Sequence, residues 1–112
     1  MDKKDVKDVA AGVAFGAVLG ALAGVLLAPK AGKETREDIT KYVSTTKEKL
    51  AKQLHTMKNV TKAEYDKLVD MVTEESGTTW NVAKEDVEQL RNDLKARYAT
   101  VVERLKEEHK SK

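Results

Sequence analysis

From Val9 to Ala28 no side chain is charged, amide or hydroxyl, whereas from Lys30 onward almost every helical turn carries charge. Wound as an α-helix, the uncharged stretch rises ~30 Å, about the hydrocarbon thickness of a bilayer. It predicts one transmembrane helix over residues 9–28, preceded by a polar tail over 1–8. Its strongly apolar members are Val9, Val13, Phe15, Val18, Leu19, Leu22, Val25, Leu26 and Leu27. Together they favour insertion by roughly 3 to 5 kcal/mol. The remaining positions are alanine and glycine, so the span is marginal. Two rival readings are a cleaved signal peptide, with Ala21-Leu22-Ala23 as the small-residue site, and a buried helix of a water-soluble core. The first is disfavoured because Lys3, Lys4 and Lys7 are balanced by Asp2, Asp5 and Asp8, and a signal peptide wants a basic start.

Within this stretch Gly12, Gly16, Gly20 and Gly24 recur at every fourth position. Four residues advance about 400° around a helix, so the glycines form one slowly drifting edge. A bare edge lets a second helix approach closely, gaining dispersion contacts and Cα–H···O bonds in lipid. The expected partner is another copy or another helical membrane protein. Lys30, Lys33, Arg36, Lys41, Lys47 and Lys49 outnumber the N-terminal lysines, which places the C-terminal part in the cytoplasm of a cell-membrane protein.

The charged region has a helical period of its own. Positions 39, 43 and 46, advanced repeatedly by eleven, give Ile39, Val43, Thr46; Leu50, Leu54, Met57; Thr61, Tyr65, Leu68; Val72, Ser76, Thr79; Ala83, Val87, Leu90; Leu94, Tyr98, Val101; and Leu105. Only Thr46, Thr61, Ser76 and Thr79 are not apolar, and none of the set is charged. Eleven residues in three turns is close to the straight-helix period, so the seam is nearly straight or weakly right-handed. Unbroken from residue 39 to 105 it would extend ~100 Å. The pairs Glu37–Lys41, Glu48–Lys52 and Asp93–Arg97 have the favourable i,i+4 order. The weak point is Ser76-Gly77-Thr78-Thr79, where a glycine and three hydroxyl residues favour a break, with Gly77 as hinge. Two architectures follow: one long amphipathic helix over 35–112, or a helical hairpin with arms of about 35–75 and 80–110. Trp80, just past the break, is expected to fill a gap beside the turn.

Between the two regions lies an elbow over 29–34. Pro29 cannot donate to the preceding turn and restrains Ala28, and Gly32 adds freedom three residues on. Thr35 is placed to cap a new helix, with Asp38 three residues later and Glu37 near the positive helix end. The run from Gly20 through Pro29, Lys30, Ala31, Gly32, Lys33, Glu34, Thr35 and Arg36 resembles the YtxH-like family of small bacterial proteins. That family pairs a glycine-spaced apolar helix with an elbow of this kind and a coiled tail. The resemblance covers about residues 9–40; the elbow is specific and the tail generic. It implies membrane attachment and an association with general or envelope stress, some members being named gas-vesicle-like, and it implies no enzymatic activity.

Composition narrows the remaining classes. The 112 residues hold 21 Lys and Arg against 19 Asp and Glu, a near balance that suits solvated helix faces and argues against nucleic acid. The five aromatic residues, Phe15, Tyr42, Tyr65, Trp80 and Tyr98, are few for a compact core, so an elongated helical shape is expected. His55 and His109 are far apart and without metal-ligand spacing, and there is no cysteine. Gly32-Lys33 is no phosphate loop, since Leu27 stands where that motif needs glycine and Glu34 where it needs Ser or Thr. The expectation is therefore an all-α protein with no catalytic residue, cofactor, metal or small-molecule substrate. It acts as a structural or stress-associated membrane scaffold through helix association. The alternative is a protective protein whose amphipathic tail binds lipid surfaces.

Overall fold

The computed structural model describes residues 16–27, 35–57 and 59–110, with side chains up to residue 107. Gly12, Ala28 and the elbow residues Pro29, Lys30, Gly32, Lys33 and Glu34 lie outside the described residues. All regular structure among those described is α-helix: α1 (16–21), α2 (Arg36–Leu54), α3 (Lys62–Thr79), α4 (Lys84–Lys95) and α5 (Tyr98–Lys110). The all-α expectation holds.

Thr35 opens α2 as its position suggests: its hydroxyl accepts the Asp38 backbone N–H at 3.0 Å, and Glu37 and Asp38 lie in the positive first turn. The helix then stops at Leu54, earlier than the periodicity implies. Thr61 and Glu64 are the reason for the restart. The Glu64 N–H donates to the Thr61 hydroxyl at 3.1 Å, and the Thr61 N–H donates to the Glu64 carboxylate at 3.0 Å. This reciprocal box satisfies two N-terminal donors and fixes the start of α3. Its hydrogen bonds hold the exposed Glu64 carboxyl below its usual range.

The second break falls at 80–83, a turn later than expected. The Val82 N–H reaches the Gly77 carbonyl at 2.8 Å and the Asn81 N–H reaches the Thr78 carbonyl at 3.2 Å. This is a Schellman ending, with Asn81 taking the left-handed conformation at φ 51°. Gly77 is thus not the hinge. It lies buried inside α3, where an added Cβ would stand 2.9 Å from Val87 Cγ2 of α4 and within 4 Å of Tyr42 of α2. It is a close-approach point for three helices, which explains a glycine that costs about 1 kcal/mol of helix propensity.

Between these turns the chain folds back on itself. α3 packs on both α2 and α4. Pairing of Gly77 with Val87, Asp70 with Arg91 and Tyr65 with Leu94 shows α3 and α4 running antiparallel. The eleven-residue seam is where the core lies. Ile39, Val43, Thr46, Leu50, Leu54, Tyr65, Val72, Ser76, Ala83, Leu90, Leu94, Val101 and Leu105 are buried. Met57, Leu68, Val87 and Tyr98 are half-buried, and only Thr61 and Thr79 are exposed. The principal extents are 44 × 35 × 20 Å, so the elongated shape and the unbroken ~100 Å helix are both corrected. Two capped turns divide the seam, and its segments face one another.

Three tyrosines tie the pieces together through backbone carbonyls. Tyr42 of α2 donates to the Thr73 carbonyl of α3 at 3.2 Å. Tyr65 of α3 donates to the Leu94 carbonyl near the end of α4, and Tyr98 of α5 donates to the Val60 carbonyl at 2.6 Å. Ion pairs follow the same seams: Lys49 with Glu75 at 2.8 Å, and Asp70 with Arg91 at 3.2 Å and Lys95 at 2.8 Å. Burial raises the Tyr42 hydroxyl from 10.0 to about 12, the Arg91 charge opposing this and Asp86 adding to it. Burial raises Tyr65 as well. Folding therefore favours the protonated phenols, a stabilisation present below pH 10 and lost as the pH climbs through about 12. Urea midpoints measured from neutral pH upward are expected to fall in that window, and Tyr42→Phe should flatten the fall relative to wild type.

Candidate functional site

Of the functional residues suggested by the sequence, Gly16, Gly20 and Gly24 lie on the N-terminal segment, and the seam residues and Gly77 belong to the helical unit that receives it. α1 stays helical to Ala21, turns at 22–24 with the Val25 N–H on the Leu22 carbonyl at 3.0 Å, and is irregular over 25–27. The expected helix through Ala28 thus leaves helical geometry after Ala21. Among the described residues no helix is long and apolar enough to cross a membrane.

The segment is two-sided. Val18, Ala21, Leu22 and Val25 are at most 3% exposed and belong to the same core as Tyr42, Leu90 and Val101. Val18 and Ala21 share one face of α1, and the turn that follows carries Leu22 and Val25 into the same core. Gly16, Gly20 and Gly24 lie on the other side and are exposed. A Cβ at Gly16 would meet nothing within 4 Å, and one at Gly20 would meet only Arg104 Nη1, at 3.9 Å. At Gly24 the Arg97 guanidinium occupies that space, with Nη2 2.5 Å from the Cβ position. Among the described residues the glycine edge therefore carries the side chains of Arg97, from the link before α5, and Arg104 of α5, and no packed helix.

Arg97 could not be placed from sequence spacing alone. Glu37 and Lys41 form their i,i+4 pair at 3.2 Å, but Glu48–Lys52 and Asp93–Arg97 make none among the described residues. Arg97 ends the short link between α4 and α5, where its N–H bonds the Leu94 carbonyl at 3.1 Å, and its side chain reaches Gly24. Lys47 of α2 is held below its usual range by partial burial and then by the Arg97 charge, so these two cations share one neighbourhood. Beside them Leu26, Leu27, Thr40, Val43, Ser44 and Lys47 line a hollow of ≈ 230 Å³, with Leu26 77% exposed.

Of the elbow only Thr35 and Arg36 are described, the first as the cap of α2 and the second exposed in its first turn. Trp80 sits at the end of α3, half-buried against the core. The described residues hold no group of His, Cys, Asp or Glu arranged to bind a metal. Sequence reasoning missed Tyr42, Arg97 and Arg104. Tyr42 lies one position before seam residue Val43, so its depth was legible only as a widening of the stripe.

The family model described as YtxH-like protein matches residues 10–112. The chain belongs to the YtxH-like family. The match extends far beyond residues 9–40, so the charged tail is as much a part of the family pattern as the glycine segment and elbow. Neither a curated protein nor a solved structure matches this YtxH-like chain.

The two faces of the segment separate by substitution. Leu22→Ala should lower the unfolding free energy by about 2–5 kcal/mol, as for other buried leucines. Gly16→Ala, at an open and exposed position, should not lower it and is expected to raise it by up to about 1 kcal/mol. Urea unfolding followed by circular dichroism reads both.

Proposed function

We propose that this YtxH-like protein is a non-enzymatic component of the cytoplasmic membrane. Residues 9–28 enter the bilayer, the helical unit lies on the cytoplasmic side, and spans associate along Gly12, Gly16, Gly20 and Gly24. Its role is then structural, a scaffold of the kind a stressed envelope recruits. The observation supporting this reading most directly is the bare outward position at Gly16, with only the end of the Arg104 side chain near Gly20, which leaves room for a second helix. Burial of the long seam within one chain adds to it, because it leaves the tail's own apolar face little part in association.

A second reading is supported by a different observation. Val18, Ala21, Leu22 and Val25 fill the helical core, and insertion would withdraw them from it. The transfer exchanges one apolar surrounding for another, so little hydrophobic free energy separates the two placements. In this reading the segment stays docked and the protein rests on the membrane surface.

Alkaline carbonate extraction of membranes from cells expressing the full chain separates the two. Retention in the pellet, with a crosslinked oligomer that weakens in Gly16→Leu/Gly20→Leu, is the result expected of the spanning protein. Release into the supernatant refutes the span and favours surface attachment.

A further inference from the structure

We infer that Lys47, Arg97 and Arg104, gathered beside the docked glycine segment, form a binding site for the phosphate of an anionic phospholipid headgroup. The inference rests on the surface-attachment reading and specifies what the surface recognises. Three observations lead to it.

The first is unopposed charge. Lys41, Lys49, Lys62, Arg91 and Lys95 of the helical unit find carboxylates, while Arg36, Lys52, Lys67, Lys84 and Lys106 stand singly and make no ion pair to a described carboxylate. Lys47, Arg97 and Arg104 make no ion pair to a described carboxylate, although Asp93 is correctly spaced for Arg97. Lys47 and Arg97 are near enough for one to lower the proton affinity of the other. Like charges so placed repel, and a bridging anion relieves the repulsion.

The second is the backbone beneath them. Arg97 can lie across Gly24 only because no Cβ stands there, and Arg104 comes nearest the Cβ position of Gly20. The Arg97 guanidinium thus occupies the place of a Gly24 side chain, and its fork of donors suits a phosphate bidentately.

The third is what adjoins the charge. The hollow beside Lys47 has Leu27 and Val43 among its walls, Ser44 supplies a hydroxyl while that of Thr40 donates to the Arg36 carbonyl, and exposed Leu26 stands at its edge. Cations, a serine hydroxyl and a projecting leucine together match an amphiphile: a phosphate for the basic groups and an acyl region for Leu26. A free phosphate would use the cations and leave Leu26 in water.

The test is co-sedimentation of the full chain with vesicles of phosphatidylcholine, with and without phosphatidylglycerol. Wild type should pellet with the anionic vesicles and far less with the zwitterionic ones. Arg97→Gln/Arg104→Gln should weaken that binding about 30-fold, the scale expected for two cations at an anionic surface. Lys67→Gln/Lys84→Gln, which removes the same net charge elsewhere, should weaken it less than half as much on a logarithmic scale. Circular dichroism confirms that each variant remains helical. Failure of wild type to pellet with either vesicle overturns the surface reading and this site with it. Equal loss in both double variants, or none in Arg97→Gln/Arg104→Gln, overturns the site alone. Displacement from the vesicles by inorganic phosphate at matched phosphate concentration assigns the site to the free ion and overturns the headgroup.

Discussion

An apolar stripe that persists from Ile39 to Leu105 cannot be left facing water, and in one chain it is covered only if the chain turns back on itself. Everything else in the helical unit serves that closure. Each turn must satisfy the donors and acceptors that a helix end exposes, because an unpaired backbone group in an apolar setting costs about as much as a lost hydrogen bond. The Thr61–Glu64 box does this at the start of α3, and the bonds from Asn81 and Val82 do it at the end. The tyrosines extend the same logic across elements. Tyr65 donates to the Leu94 carbonyl in the last turn of α4, which also accepts the Arg97 N–H, and its ring meets Tyr98 at 5.4 Å, joining α3 to the start of α5.

Gly77 shows how tightly the closure is drawn. Tyr42, Val87 and the α3 backbone meet there with no room for a methyl group, and Tyr42 hydrogen-bonds one turn away at Thr73. Small and hydroxyl residues in the middle of α3 look like a helix breaker when read along the chain. In three dimensions they are the thin part of a helix over which two neighbours cross. Thr73 and Ser76 are buried, and Thr73 returns its hydroxyl to the Val69 carbonyl at 2.7 Å, so its polar group does not interrupt the packing.

Much of this was readable from the sequence because burial follows periodicity, and periodicity survives the turns. The seam residues are the same whether α2 and α3 are one helix or two, so the pattern located the core without locating its folds. The breaks were written in local signals of a different kind. Thr-Lys-Ala-Glu at 61–64 is a capping box in plain sequence, but within an eleven-residue frame Thr61 reads as one more polar exception. Asn81 is a left-handed helix terminator that carries little weight beside Gly77 four residues earlier. The Arg97 placement was not legible at all, since spacing gives it Asp93 and only the tertiary approach of Gly24 draws it elsewhere. The glycine spacing predicts an edge without side chains, and what lies along its described part depends on Arg97 and Arg104.

The N-terminal segment joins both halves of the account, with an apolar face that the core and a bilayer can each accept and a glycine edge beside basic side chains. Whichever surrounding it occupies, the central claim is that the seam closes within a single chain. Zero-length carbodiimide crosslinking tests this most directly, because Lys49 and Glu75 meet at 2.8 Å and Lys95 and Asp70 also meet at 2.8 Å. A mixture of isotopically light and heavy chains, crosslinked and read by mass spectrometry, should give Lys49–Glu75 and Lys95–Asp70 links with both ends from the same chain. In one continuous helix Lys49 and Glu75 would stand ~39 Å apart, so links found only between light and heavy chains, or none at all, would contradict the fold and restore the extended tail.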